Sequence, residues 1–125
     1  MGLNILCVGI GGFIGAILRY LISIKASKVF ISSIPIGTLL VNVIGGILIG
    51  FILEINNKSS INEGLKLFLT TGMLGGLTTF STFSYETISL LTGGDYLSGG
   101  VNIILNVTLS LLGVIIGKLI AKTLF

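Results

Sequence analysis

The feature that most limits what this chain can fold into is a succession of four apolar runs joined by very short connectors. The runs cover residues 3–24, 36–55, 65–91 and 97–125. Crossing the hydrocarbon core of a bilayer takes about 20 mainly apolar residues, and each run is long enough. Between them lie residues 25–35, the polar "NNKSS" of residues 56–60 and "TGGDY" of residues 92–96. No soluble domain fits in such connectors. Only 9% of the 125 residues are charged, against about 25% in an ordinary soluble domain. The expectation is one all-α integral membrane domain over residues 1–125, with four transmembrane helices. No basic segment precedes the first run, whose first positive side chain is Arg19, so this run reads as a retained span rather than a cleaved leader.

Composition also removes several classes of chemistry. One cysteine, Cys7, and no histidine leave no intrachain disulfide, no Cys/His zinc site and no histidine acid–base catalysis. There is no GxxxxGK[ST] segment, so ATP-driven pumping has no support. The net charge of +3 is spread along the chain, which argues against nucleic-acid binding. The sequence reads as a membrane protein that is not an enzyme.

Each run carries two glycines at four-residue spacing: Gly11 and Gly15, Gly46 and Gly50, Gly72 and Gly76, Gly113 and Gly117. In lipid no hydrophobic drive holds helices together, so close backbone approach at small residues supplies the packing. Four such helices make a thin bundle with little interior, and a transport path through it calls for more than one copy. With four spans, Lys58, Lys66, Lys118 and Lys122 fall on one side and Arg19, Lys25 and Lys28 on the other. That is a weak orientation bias, compatible with insertion in both directions and an antiparallel dual-topology dimer.

Polar side chains are costly in the bilayer core and usually face a partner or a water-filled path. Thr38 and Asn42 stand four residues apart on the second run; Asn102, Asn106 and Ser110 repeat that spacing on the fourth. A lone Asn would read as an interhelical hydrogen bond, worth about 0.6 kcal/mol. Two aligned stripes favour a polar track of neutral donors. Arg19 either snorkels to the interface or holds positive potential at a pore mouth. Glu86 is the one acid available deep in the third run, and it lies near its end.

The third run contains "GGLTTFSTF", residues 75–83. Gly75, Gly76, Thr78, Thr79 and Thr82 together weaken a continuous helix, and a helix broken at membrane depth survives only buried or lining a cavity. Freed carbonyls there suit a hard cation such as Na⁺. Phe80 and Phe83 lie one turn apart, and an aromatic ring presents a positive edge. They read either as core residues or as an edge-on pair assisting a dehydrated anion.

"GGFIGAILRY" (residues 11–20), "PIGTLLVNVIGGILIG" (35–50) and "TTGMLGGLTTFSTFSYE" (70–86) resemble the signatures of the Fluc/CrcB fluoride channels, in the same order and over the whole chain. The resemblance implies a passive channel of the cell membrane that exports fluoride and lowers its toxicity. It implies an antiparallel homodimer with two pores and a structural Na⁺ at its centre, held by the backbone carbonyls of Gly75 and Thr78. Phe80 and Phe83 match the aromatic lining of the fluoride path, Asn42 and Thr38 its polar lining, Arg19 the vestibule and Glu86 the acid after the Phe motif. Asn102, Asn106 and Ser110 align with a polar track in which many relatives carry Tyr or Ser instead of Asn. The main rival is a small multidrug exporter, but such proteins place a glutamate in the first span, and this first run has no acid. A non-transporting assembly subunit would account for the glycines and leave the polar stripes unexplained.

Overall fold

The structure, a computed structural model, describes residues 1–125, and all its regular elements are helical. They are α1 (Gly2–Val29), α2 (Ile36–Lys58), α3 (Glu63–Leu67), a π-helical segment (Phe68–Leu74), α4 (Gly75–Leu77), α5 (Phe80–Thr92) and α6 (Tyr96–Leu124). Three of them, α1, α2 and α6, have 28, 23 and 29 residues and are apolar enough to cross a membrane. At about 1.5 Å per residue each outspans a ~30 Å hydrocarbon layer.

The third apolar run is built differently. Asn62 opens it as an N-cap, its side-chain oxygen accepting from the N–H of Gly64 at 2.9 Å and of Leu65 at 3.3 Å. From there α3, the π segment and α4 follow without a gap to Leu77. Thr78 and Thr79 are then fully extended, with φ/ψ of −82°/158° and −153°/122°. The chain restarts as α5, capped by the Thr79 hydroxyl, which accepts from the Thr82 N–H at 3.1 Å. The break therefore lies at two threonines, and Gly75 and Gly76, expected to share in it, are helical.

The reason is packing. The four glycine pairs meet two by two. A methyl on Gly76 would sit 2.6 Å from the Gly12 carbonyl oxygen, and one on Gly72 2.7 Å from that of Val8. From the other side, methyls on Gly11 and Gly15 would overlap the carbonyls of Phe68 and Met73. The π segment and α4 thus lie backbone to backbone against α1. In the same way Gly46 and Gly50 on α2 face Gly113 and Gly117 on α6. Helical glycine costs about 1 kcal/mol in propensity, and close approach between helices offsets it.

Between these two layers lies a small apolar core of Val41, Leu74 and Leu77, flanked by Ile22, Leu48, Ile49 and Ile52. Only 22 of 125 residues are buried, and Phe13, Leu21, Leu111 and Ile115 are more than half exposed. Such a surface requires lipid or a second protein surface against it. At the end of α5, Gly94 turns the chain with φ of 87°, a region open to glycine. Asp95 then caps α6, accepting from the Ser98 N–H at 3.1 Å. Hydrogen bonding from Ser98, side chain and backbone, holds the Asp95 carboxyl below its ordinary value. A depressed carboxylate stabilises the fold above the usual Asp range, and that contribution fades as pH falls through the lowered value. Melting measured down the acid limb should show Asp95→Asn losing less stability between neutral pH and pH ~3 than the parent does.

Candidate functional site

Breaking a helix frees backbone groups, and what satisfies them defines the site. The Thr79 N–H donates to Asn42 Oδ1 at 2.9 Å, while Asn42 Nδ2 donates to the Thr79 carbonyl at 3.1 Å. One side chain from α2 therefore satisfies both polar groups of a residue that is 7% exposed. The same Nδ2 also donates to Asn106 Oδ1 at 3.0 Å. Asn106 Nδ2 donates in turn to the Asn102 carbonyl and to Asn102 Oδ1, both at 3.0 Å. The four-residue spacing on α6 makes this ladder possible, since it stacks the two amides on one face.

Two cavities flank the network. The larger, about 450 Å³, is lined by Asn42, Phe80, Phe83, Asn106 and Ser110 together with Gly75 and Thr78. The smaller, about 300 Å³, is lined by Thr38, Thr82, Glu86 and the serines Ser23, Ser27 and Ser32. Thr38 and Asn42 sit one turn apart on α2 and so address one cavity each. In the smaller cavity the Thr38 hydroxyl donates to Glu86 Oε1 at 2.9 Å. Glu86 Oε2 is enclosed and has no partner within the chain.

Phe80 and Phe83 do project together, with ring centroids 5.5 Å apart and an interplanar angle of 54°. Their surroundings differ sharply: Phe83 is 8% exposed and Phe80 79%. Phe80 stands largely outside the packing of its own chain. Ser110 lines the larger cavity, and Asn102 is fully buried and lines neither cavity. Arg19 is half-buried, lines neither cavity and makes no ion pair; the sole salt bridge joins Glu54 to Lys118 at 3.9 Å.

At the other side of the break the half-helix ends at Leu77. The carbonyls of Gly75, Gly76 and Leu77 close this half-helix, and that of Thr78 lies in the break beyond it. They form the negative end of a helix dipole, and Gly75 is exposed. Two threonines to which the sequence assigns no site role belong to the site as well. Thr79, legible only as weakening the helix, is the residue Asn42 clasps, and Thr87 joins the amide ladder. Thr87 had one legible signal: it stands four residues after Phe83, on the same face.

This is a polytopic helical membrane protein with a broken helix and two cavities lined in part by buried polar side chains. It belongs to the CrcB family. Residues 6–118 match the family model described as CrcB-like protein, Camphor Resistance. A protein of Clostridium novyi named fluoride-specific ion channel FluC is 60% identical over 119 residues, covering 94% of this chain and 93% of the relative. A protein of the same name from Clostridium perfringens is 60% identical over 121 residues, covering 96% and 94%. Another, from Ruminiclostridium cellulolyticum, is 48% identical over 123 residues, covering 98% and 95%. These relatives are channels by name, and the family is not an enzymatic one.

Proposed function

We propose that this protein is a passive, fluoride-selective channel of the cell membrane that lets fluoride leave the cytoplasm. The observation that carries the reading is a pair of polar-lined cavities at adjoining turns of α2: Glu86 and Thr38 line one, and Asn42, Phe83, Asn106 and Ser110 line the other. The names of the relatives supply the ion. Fluoride is small and strongly hydrated, so its water must be replaced by several donors while binding stays weak enough for release. Both N–H groups of Asn106, and Asn42 Nδ2 on two acceptors, are already engaged inside the protein. These amides shape the path, which leaves the Ser110 and Thr82 hydroxyls and the edges of the Phe rings to meet the ion. No full positive charge lines either cavity, which keeps the ion from being trapped.

The working unit is an antiparallel, dual-topology homodimer with two such paths. Three observations support it: the small buried interior, Phe80 standing 79% exposed beside a polar site, and basic residues shared almost equally between the two ends. At its centre we place Na⁺, with the carbonyls of Gly75 and Thr78 from each copy as the groups to hold it. Their fit rests on the interruption of the helix after Leu77, since a helix end leaves its last carbonyls without intrahelical partners. Bound there, the cation would neutralise converging carbonyl dipoles and hold the two breaks together.

Proteoliposomes loaded with fluoride or chloride test the function. The expected result is rapid fluoride efflux with chloride retained. Retained fluoride, with a hydrophobic cation exchanged for protons, would mean an exporter instead. Phe83→Ala and Phe80→Ala should each lower fluoride flux at least about tenfold, the equivalent of ~1.4 kcal/mol, without dissociating the dimer; parental flux from both removes the aromatic lining from the path. Gly75→Leu separates dimer from protomer, because a Cβ added there meets its own chain only at the Thr70 carbonyl, 3.9 Å away. It should leave helix content intact and shift size-exclusion elution toward a monomer in Na⁺ buffer. A dimer of parental stability would count against the proposed centre.

A further inference from the structure

The amide ladder on α6 does not end at Asn102. Asn102 Nδ2 donates to Thr87 Oγ1 at 2.9 Å, and the Thr87 hydroxyl donates to the Phe83 carbonyl at 2.7 Å. The donors run in one sense, from Asn42 to Asn106, Asn102, Thr87 and finally the Phe83 carbonyl. Thr87 is 4% exposed and Asn102 fully buried, so water does not compete for these groups. A hydroxyl has a single proton; with its oxygen accepting from Asn102, that proton is directed at Phe83.

Hydroxyls that bond back to the carbonyl four residues earlier are common in helices, and this chain has others. Ser84 bonds to Phe80, Ser89 to Tyr85 and Thr108 to Ile104, and all three bonds are exposed. Thr87 alone among them also accepts from a buried amide on another helix. Its hydrogen bond therefore ties a specific carbonyl of α5 to α6, and that carbonyl belongs to the residue whose ring lines the larger cavity.

We propose that Thr87 is a positioning residue for Phe83, setting from α6 where the ring stands in the ion path. Thr87 lines neither cavity. The inference rests on the channel reading above. Thr87→Val keeps the shape of the side chain and removes both hydrogen bonds, whereas Thr87→Ser keeps both.

The measurement is time-resolved fluoride efflux from vesicles holding less than one channel each on average. The rate in active vesicles reports one channel, and the active fraction reports how many channels are folded. Thr87→Val should lower the rate per channel about tenfold, since of the two bonds lost the one to the Phe83 carbonyl acts on the ring, and Thr87→Ser should stay near the parental rate. A lower active fraction with an unchanged rate per channel would reduce Thr87 to a folding role and overturn the proposal. If Thr87→Val does not reconstitute, Thr87→Cys against Thr87→Ser carries the same comparison, since a thiol donates and accepts weakly. Equal rates per channel for Cys and Ser would also overturn it. Failure of the parental protein to pass fluoride would instead overturn the channel reading, so the two failures remain distinguishable.

Discussion

Asn42→Ala should abolish fluoride efflux and lower the melting temperature together, because Asn42 holds the helix break in place. The substitution leaves the Thr79 N–H and carbonyl without partners and also strips Asn106 Oδ1 of its donor. Each buried polar group left unpaired costs about 1–3 kcal/mol, and two or three of them amount to about 2–9 kcal/mol if no water enters. That is a large share of the ~5–15 kcal/mol typical of a folded domain. Asn42→Asp refines the test. An ionised carboxylate still accepts from the Thr79 N–H but cannot donate to the Thr79 carbonyl or to Asn106, and it sets a negative charge beside an anion path. Its second oxygen then faces two acceptors with a charge that nothing pairs, so it should be no more stable than Asn42→Ala and equally silent in efflux. Efflux from proteoliposomes and melting in detergent read the two effects separately. Parental melting and parental flux from Asn42→Ala would show that something else holds the break open.

The position of the break was only half legible in the sequence. Hydroxyls and glycines in residues 75–83 announce a weak helix, and propensity alone would place the interruption at Gly75 and Gly76. Propensity loses here to tertiary contact: Gly76 lies against the Gly12 carbonyl, and only a helical backbone presents that flat face. The interruption moves to Thr78 and Thr79, where Asn42 waits with matching groups. The π segment before it gave no such signal, since its widened turn depends on how the backbone of residues 68–74 meets α1.

The glycine pairs were legible as sites of close approach, but spacing cannot say which helix meets which. That is fixed by the fold, in which α1 takes the third run and α2 takes α6. A similar limit applies to the polar stripes. Spacing placed Asn102 and Asn106 on one face, and the structure shows that they bond to each other before anything else. Whether an amide faces an ion or another amide depends on the register between α2 and α6. Phe80 shows a further limit. Its exposure becomes intelligible only with another surface against it, and a single chain does not contain that surface.

Gly117→Ala should be among the most damaging single methyls in the protein. The added carbon would overlap the Ile47 carbonyl oxygen and lie 2.8 Å from the Phe51 nitrogen. Both obstacles are backbone, so no side chain can rotate away, and α2 and α6 must move apart. Overpacking of this kind costs about 1–3 kcal/mol, occasionally more. Separation also acts at a distance, because α2 carries Asn42 and α6 carries Asn106, joined by one 3.0 Å hydrogen bond. Gly117→Ala should therefore lower fluoride flux although it lines neither cavity. Gly100→Ala is the control: it lies on the same helix with nothing within 4 Å of an added methyl. It should be neutral or stabilise by up to ~1 kcal/mol through helix propensity. Melting and efflux of the two variants side by side decide the point. If they behave alike, close approach at the glycines is not what holds α2 to α6, and the alignment of Asn42 with Asn106 needs another cause.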